Sequence, residues 1–114
     1  MDKKSKKGFT LTEIMIVVVI IALLAAMAIP AFNKVKQTAK NKEILNNLKV
    51  IAAAGSQYIL ENNSDQAAYT SLADTYFSTI NPIAGEDYTS LNVLKTGGTL
   101  AVTQANGTVI TFDY

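Results

Sequence analysis

The sequence predicts an α+β fold: one long N-terminal helix packed on a small head that contains a short second helix and a three-stranded antiparallel sheet. Two observations carry most of that prediction. Residues 14–29 (IMIVVVIIALLAAMAI) hold no polar side chain, and the helical pattern continues past Pro30 with apolar residues three and four apart. The C-terminal third instead shows alternating residues broken by Gly97-Gly98 and Asn106-Gly107, the punctuation of strands and turns.

The first half of the helix is apolar all round. From Phe9 to Phe32, about 24 residues reach roughly 36 Å as a helix, enough to cross a bilayer. Pro30 lacks a backbone donor and is expected to kink this helix rather than end it. Beyond it Val35, Ala39, Leu45, Leu48, Ala52, Gly55 and Ile59 form one face, widened by Ile44 and Ile51. The helix is expected to run from about Phe9 to about Glu61, with Asn62-Asn63-Ser64-Asp65 as its stop and Ser64 or Asp65 capping the next element.

In the head, Ala68, Leu72, Tyr76 and Ile80 recur every four residues and predict a short helix over residues 67–80, closed by Asn81-Pro82. Residues 88–94, 99–103 and 108–114 read as strands, the last two joined by a type I′ turn at Asn106-Gly107. A lone hairpin is marginal, so three strands leaning on the helix are the economical arrangement. In the last strand Ile110, Phe112 and Tyr114 share one face and Val109, Thr111 and Asp113 the other, and the odd-numbered set is a candidate to meet the helix.

One carboxylate interrupts the apolar stem. An ionised Glu costs at least about 2.5–3.5 kcal/mol at a bilayer centre and less near an interface, so Glu13 at the head of the stem needs a partner. The stretch GFTLTEIMIVVVIIALLAAMAIP, behind the basic leader MDKKSKKG, resembles the N-terminus of the type IV filament proteins, the type IV pilins and the pseudopilins of type II secretion. The resemblance covers roughly the first 35 residues. It implies cleavage after Gly8 by a prepilin peptidase, N-methylation of Phe9 by the same enzyme, and a kink at Pro30. It also implies that Glu13 pairs with the Phe9 amine of an adjacent subunit and sets the axial register. Thr12 departs from the family, where an aliphatic residue is usual; its hydroxyl can bond back to a helix carbonyl.

The resemblance divides the chain into a cleaved leader (1–8), a transmembrane and filament-core helix (9–33), and an amphipathic half-helix with a globular head (34–114). It implies a structural subunit of a homo-oligomeric helical filament, not an enzyme. Its partners would be the peptidase/methyltransferase, an inner-membrane assembly platform, an assembly ATPase and the membrane itself. The head would lie outside the cytoplasm, anchored by a single pass in the inner membrane before assembly, and in a periplasmic or cell-surface filament afterwards. Type II secretion and a type IV pilus remain alternative machines.

Other readings account for less. A conventional secretory signal would cut near Ala26-Met27-Ala28, discarding the stem and leaving Glu13 unexplained. A plain signal-anchor accounts for Lys3, Lys4, Lys6 and Lys7 but treats the Gly8-Phe9 junction and Glu13 as accidents. The alternative of another class is a bitopic membrane protein whose head binds a ligand or partner.

Composition excludes more than it identifies. The 114 residues suit one domain, and 49% are hydrophobic, much of that in the stem. The chain has neither cysteine nor histidine, which rules out disulfides, structural zinc sites and most catalytic dyads. No cofactor and no metal site is expected. Glu86-Asp87 and Asp113 lack the spacing of a calcium loop and read as exposed turn acids. The five tyrosines read as packing and surface residues. Removing the leader's four lysines and one aspartate takes the formal charge from +1 to −2, so nucleic acid is not an expected partner. Charge is polarised: Lys34, Lys36, Lys40, Lys42 and Lys49 follow the stem, whereas the distal part is acidic, a pattern suited to a solvated surface or to subunit complementarity.

Overall fold

The computed structural model describes residues 8–114, so most of the expected leader lies outside the described residues. One helix, α1 (Leu11–Asn62), is followed by β1 (Gln66–Ala68), the single-turn α2 (Tyr69–Leu72), β2 (Asn92–Leu94), β3 (Thr99–Thr103) and β4 (Val109–Asp113). The chain divides into two compact units, a stem ending at Gln37 and a head comprising Thr38–Tyr114.

In the stem every described residue up to Lys36 is exposed, and the large apolar residues from Leu11 to Val35 are each 44–77% exposed. A helix that is apolar on all sides has no core of its own to face and needs lipid or other helices around it. Pro30 lies inside α1, where the Ala26 carbonyl loses its usual N–H partner.

In the head, α1 buries Ile44, Leu48, Ile51, Ala52, Ala54, Gly55 and Ile59. Leu45 is half-buried, while Val35 and Ala39 of the expected stripe stay exposed. The helix ends in a Schellman turn: Asn63 adopts φ 49°, and the Ser64 N–H donates to the Ile59 carbonyl at 3.1 Å. Asn tolerates this left-handed position better than most residues, so it stops the helix. Ser64 caps no helix; its hydroxyl engages the Gln66 backbone, and α2 begins at Tyr69 without a side-chain cap.

The expected helix over 67–80 shrinks to one turn. Ala67 and Ala68 pair instead with Val93 and Asn92 in the β1–β2 ladder. After Leu72, Asp74 takes φ 65° and its carboxylate accepts from the Thr79 backbone N–H (3.2 Å) and hydroxyl (2.7 Å). Such local bonds by Asp and Thr compete with helix. Leu72, Tyr76 and Ile80 still reach the core, which is the source of their four-residue spacing.

The three-stranded sheet is replaced by two antiparallel pairs, β1–β2 and β3–β4. Strand β2 takes β1 as its partner, and the Leu94 N–H donates to the Tyr114 hydroxyl (2.8 Å) rather than to another strand. Residues 88–91 form a turn, with Leu91 N–H bonding the Tyr88 carbonyl and Asp87 bonding both donors of Thr89, so only Asn92–Leu94 of the expected first strand is extended.

The β3–β4 hairpin pairs Thr99 with Asp113 through Thr103 with Val109. Its turn is not type I′, because Gly107 (φ 89°) has positive φ and Asn106 does not. The Gly107 N–H returns to the Gln104 carbonyl (2.9 Å), and the Gln104 N–H to the Thr108 carbonyl (2.8 Å). That is a three-residue loop whose last residue is left-handed. On β4 the even-numbered set is the one that packs: Ile110, Phe112 and Tyr114 lie against the core, while Val109, Thr111 and Asp113 are exposed.

Two of the contacts between α1 and this small core show how closely they fit. A Cβ on Gly55 would lie 2.5 Å from Val93 side-chain atoms, so the glycine admits β2 against the helix. Tyr88, 2% exposed, accepts a hydrogen bond from Asn47 of α1 at 3.1 Å, and burial raises its phenol pKa.

Candidate functional site

The N-terminal end of the stem is built as a capping box. Thr10 is the N-cap: its carbonyl accepts the first helical bond from Ile14 N–H (3.2 Å), and its Oγ1 accepts the Glu13 N–H (3.1 Å). Reciprocally, Glu13 Oε2 accepts the Thr10 N–H at 3.4 Å. The T-x-x-E spacing in front of an apolar run is a known N-terminus signature, legible in Thr10-Leu11-Thr12-Glu13 but missed when Glu13 is considered only as a membrane charge.

This box sets where the expected functional residues fall. Gly8 and Phe9 precede the helix and are exposed, Phe9 by 80%. Nothing lies within 4 Å of a Cβ added to Gly8, so the fold has no packing reason for a glycine there. Glu13 occupies the first turn, where the helix dipole favours a carboxylate. Thr12 sits one turn above Gly8 and Phe9, which lie outside the helix, so the expected back-bond to a helix carbonyl has no helical acceptor. Pro30 is some seventeen residues further along the stem, roughly 26 Å at helical rise, and is not part of this end.

The grooves and clefts seen among the described residues are open. The groove of about 410 Å³ beside Thr12, Met15, Ile16, Val19 and Ile20 is the open side of one helix. The head's clefts, about 200 Å³ beside Ser56, Leu60 and Lys95 and about 290 Å³ beside Asn41, Leu45 and Ile110, are shallow and smaller than typical ligand sites. No group of three metal-ligating side chains occurs among the described residues. Glu86 is not the exposed turn acid expected: it is 1% exposed, and its carboxylate accepts the backbone N–H groups of Ile83 and Ala84, tying down its own loop. Asp87 is exposed, as expected. Tyr69 and Tyr88 are buried and stack at 6.4 Å, and Tyr58 and Tyr76 meet edge-on at 6.0 Å, so these four are packing residues.

The family model for the prokaryotic N-terminal methylation motif matches residues 3–29, which span the Gly8-Phe9 junction, the capping box and most of the apolar run. The chain thus carries a prokaryotic N-terminal methylation motif, and its curated relatives include type IV pilins and a type II secretion protein. It is 46% identical over 57 residues to the type IV major pilin protein PilA of Myxococcus xanthus, a match covering 50% of this chain and 26% of that protein. It is 42% identical over 62 residues to the type II secretion system core protein G of Pseudomonas aeruginosa, covering 54% of this chain and 44% of the other. The type IV major fimbrial protein FimA of Dichelobacter nodosus is 48% identical over 58 residues, covering 48% of this chain and 36% of its own length. The matches thus span less than half the length of each relative. No solved structure matches the chain significantly.

Proposed function

We propose that this pilin-like chain is the structural subunit of a type IV-pilus-like filament, inserted in the inner membrane by its stem and polymerised through it. The single observation that carries this reading is an apolar stem, exposed on every side and headed by one capped carboxylate, Glu13. In lipid such a helix is long enough to span, with the basic leader on the cytoplasmic side and the head on the other. In a filament the same surface packs against other stems.

Cleavage after Gly8 converts the Phe9 nitrogen into a free amine, which the peptidase then methylates. Glu13 of one subunit neutralises that amine on its neighbour, so the acid is less costly in the fibre than in lipid, and extraction from the membrane is biased toward assembly. Pro30 supplies a local weakness at which the stem bends in the fibre. An assembly ATPase and a platform protein supply the work. The relatives include major pilins and a secretion core protein, and both machines accommodate this mechanism.

The test is Gly8→Val. A peptidase needs close access to the backbone, which glycine permits and a β-branched residue obstructs. Because the fold has no need of Gly8, the variant should insert normally and remain at precursor size on an immunoblot. A Gly8→Val chain of mature size would refute the junction.

A further inference from the structure

Two Asn-x-Ser/Thr triplets occur in the sequence, Asn62-Asn63-Ser64 and Asn106-Gly107-Thr108. Such a triplet is the acceptor pattern for a sugar on the asparagine side-chain nitrogen, where it lies on an accessible loop and its middle residue is not proline. The fold treats the two triplets differently.

Asn62 closes α1, and its Nδ2 donates to the Tyr58 carbonyl at 3.0 Å. The Ser64 hydroxyl donates to the Gln66 carbonyl at 2.7 Å and accepts the Gln66 N–H at 3.3 Å. Both polar side chains that a transferase would need are therefore engaged at the helix end. The β3–β4 hairpin tip is the opposite case. Asn106, Gly107 and Thr108 are all exposed, and nothing lies within 4 Å of a Cβ added to Gly107. Asn106 Oδ1 accepts the Thr108 N–H at 2.9 Å, an Asx-turn that directs the carbonyl oxygen onto the loop and leaves Nδ2 pointing away from it. Among the described residues, neither that nitrogen nor the Thr108 hydroxyl makes a hydrogen bond.

The tip is held by other groups. Gly107 N–H donates to the Gln104 carbonyl (2.9 Å), Ala105 N–H to the Ala84 carbonyl (2.8 Å), and the Gln104 side chain to Asn41 of α1 (2.7 Å). A substituent on Asn106 Nδ2 therefore costs the hairpin none of its bonds.

We propose that Asn106 Nδ2 is an acceptor for N-glycosylation, with a sugar activated at its anomeric carbon by a diphosphate as the donor. Nδ2 attacks that carbon, and the new N–C bond forms as the C–O bond to the diphosphate breaks. The diphosphate leaves with the electron pair, and Nδ2 gives one of its two protons to a base of the transferase. The side-chain carbonyl is unchanged, so Oδ1 keeps the Thr108 N–H in the product. This assignment goes beyond the filament reading and does not depend on it, since it requires only that a transferase meet the head.

Lys95 is the last basic residue, so trypsin releases residues 96–114 as one peptide in which Asn106 is the only asparagine. The full chain, isolated from the cells that make it, is digested and analysed by mass spectrometry. A mass increment of whole sugar residues is expected on most copies of this peptide, localised by electron-transfer fragmentation to Asn106, with none on Asn62. Asn106→Gln and Thr108→Ala should each lower the occupancy at least tenfold, whereas Thr108→Ser, which keeps the hydroxyl, should retain it. Thr108→Ala leaves Asn106 and the backbone bonds of the turn in place, so its effect does not come from a broken hairpin. Treating the cells with an inhibitor of polyprenyl-linked sugar assembly identifies the donor: loss of the increment marks a lipid-linked diphosphate, and persistence a nucleotide-linked one. An unmodified peptide, a peptide changed only by deamidation of Asn106, sugar on a threonine or on Asn62 instead, or parental occupancy in Thr108→Ala overturns the assignment.

Discussion

Thr10 and Glu13 hold each other's backbone: the Glu13 N–H donates to the Thr10 hydroxyl at 3.1 Å, and the Thr10 N–H donates to the Glu13 carboxylate at 3.4 Å. Glu13 therefore has a structural role within one chain as well as the charge proposed to act between chains. A capping box works with Gln as well as Glu, which allows the two roles to be separated.

Glu13→Gln keeps a capping side chain and removes the charge, whereas Glu13→Leu removes both. Each variant should insert and be cut, since loss of an intramembrane charge eases insertion. Both should assemble poorly, because the neighbour's amine is left without its partner; breaking one side of a buried pair costs about 3–5 kcal/mol. Sheared-filament yield, normalised to the processed fraction in the membrane, is the measurement. If Glu13→Gln gave parental yield and Glu13→Leu none, capping and not charge would be the function of this residue.

Gly55→Ala should destabilise the head. Alanine gains about 1 kcal/mol of helix propensity over glycine. Its Cβ, however, would sit 2.5–2.7 Å from three side-chain atoms of Val93, one of them the Cβ itself, which a rotamer change cannot move. Overpacking of this kind costs typically 1–3 kcal/mol, so the net effect should be a loss of about 1 kcal/mol. Thermal or urea unfolding of the full chain in detergent would show it, and Val93→Gly, which removes the clashing Cβ, added to Gly55→Ala should relieve the clash. An unchanged or raised midpoint for Gly55→Ala would mean that α1 and β2 do not approach this closely.

The stem and most of α1 were legible in the sequence, because an apolar run and a three-four spacing are strong local signals. Residues 99–103 were equally clear, since alternation and flanking glycines agree. The sequence could not show which strand would pair with which. Residues 67–80 read as a helix because Leu72, Tyr76 and Ile80 do face the core, but tertiary pairing of Ala67 and Ala68 with β2 overrides that spacing. Glu86 was unreadable for a related reason: its burial depends on a loop folding back to present two N–H groups to its carboxylate. At the functional end, the Gly8-Phe9 junction and Glu13 stood out by residue type, while the role of Thr10 needed the helix start to be fixed first.

The Tyr76–Glu61 bond predicts a pH dependence at both ends of the scale. The Tyr76 hydroxyl, followed by Gln57, lowers the Glu61 pKa from its ordinary 4.5, and Glu61 in turn raises that of Tyr76 above 10.0. The stabilisation from Glu61 is present above its unfolded pKa and is lost as pH falls through the lowered folded value. That from Tyr76 is present below its unfolded pKa and is lost as pH rises through the raised folded value. In Tyr76→Phe the Glu61 carboxyl resonance should titrate at a higher pH than in the parent, closer to 4.5. An identical titration in the two chains would show that the bond does not form in solution.

The proposed assembly through a processed stem fixes the chemical form the chain should have in the fibre, and intact-mass spectrometry of sheared filaments reads that form directly. The mass expected is that of residues 9–114 with one added methyl group, localised by fragmentation to the Phe9 nitrogen. Recovery of the chain only from the membrane fraction, with residues 1–8 still attached and nothing in the sheared material, would contradict it and favour a single-pass membrane protein with a binding head.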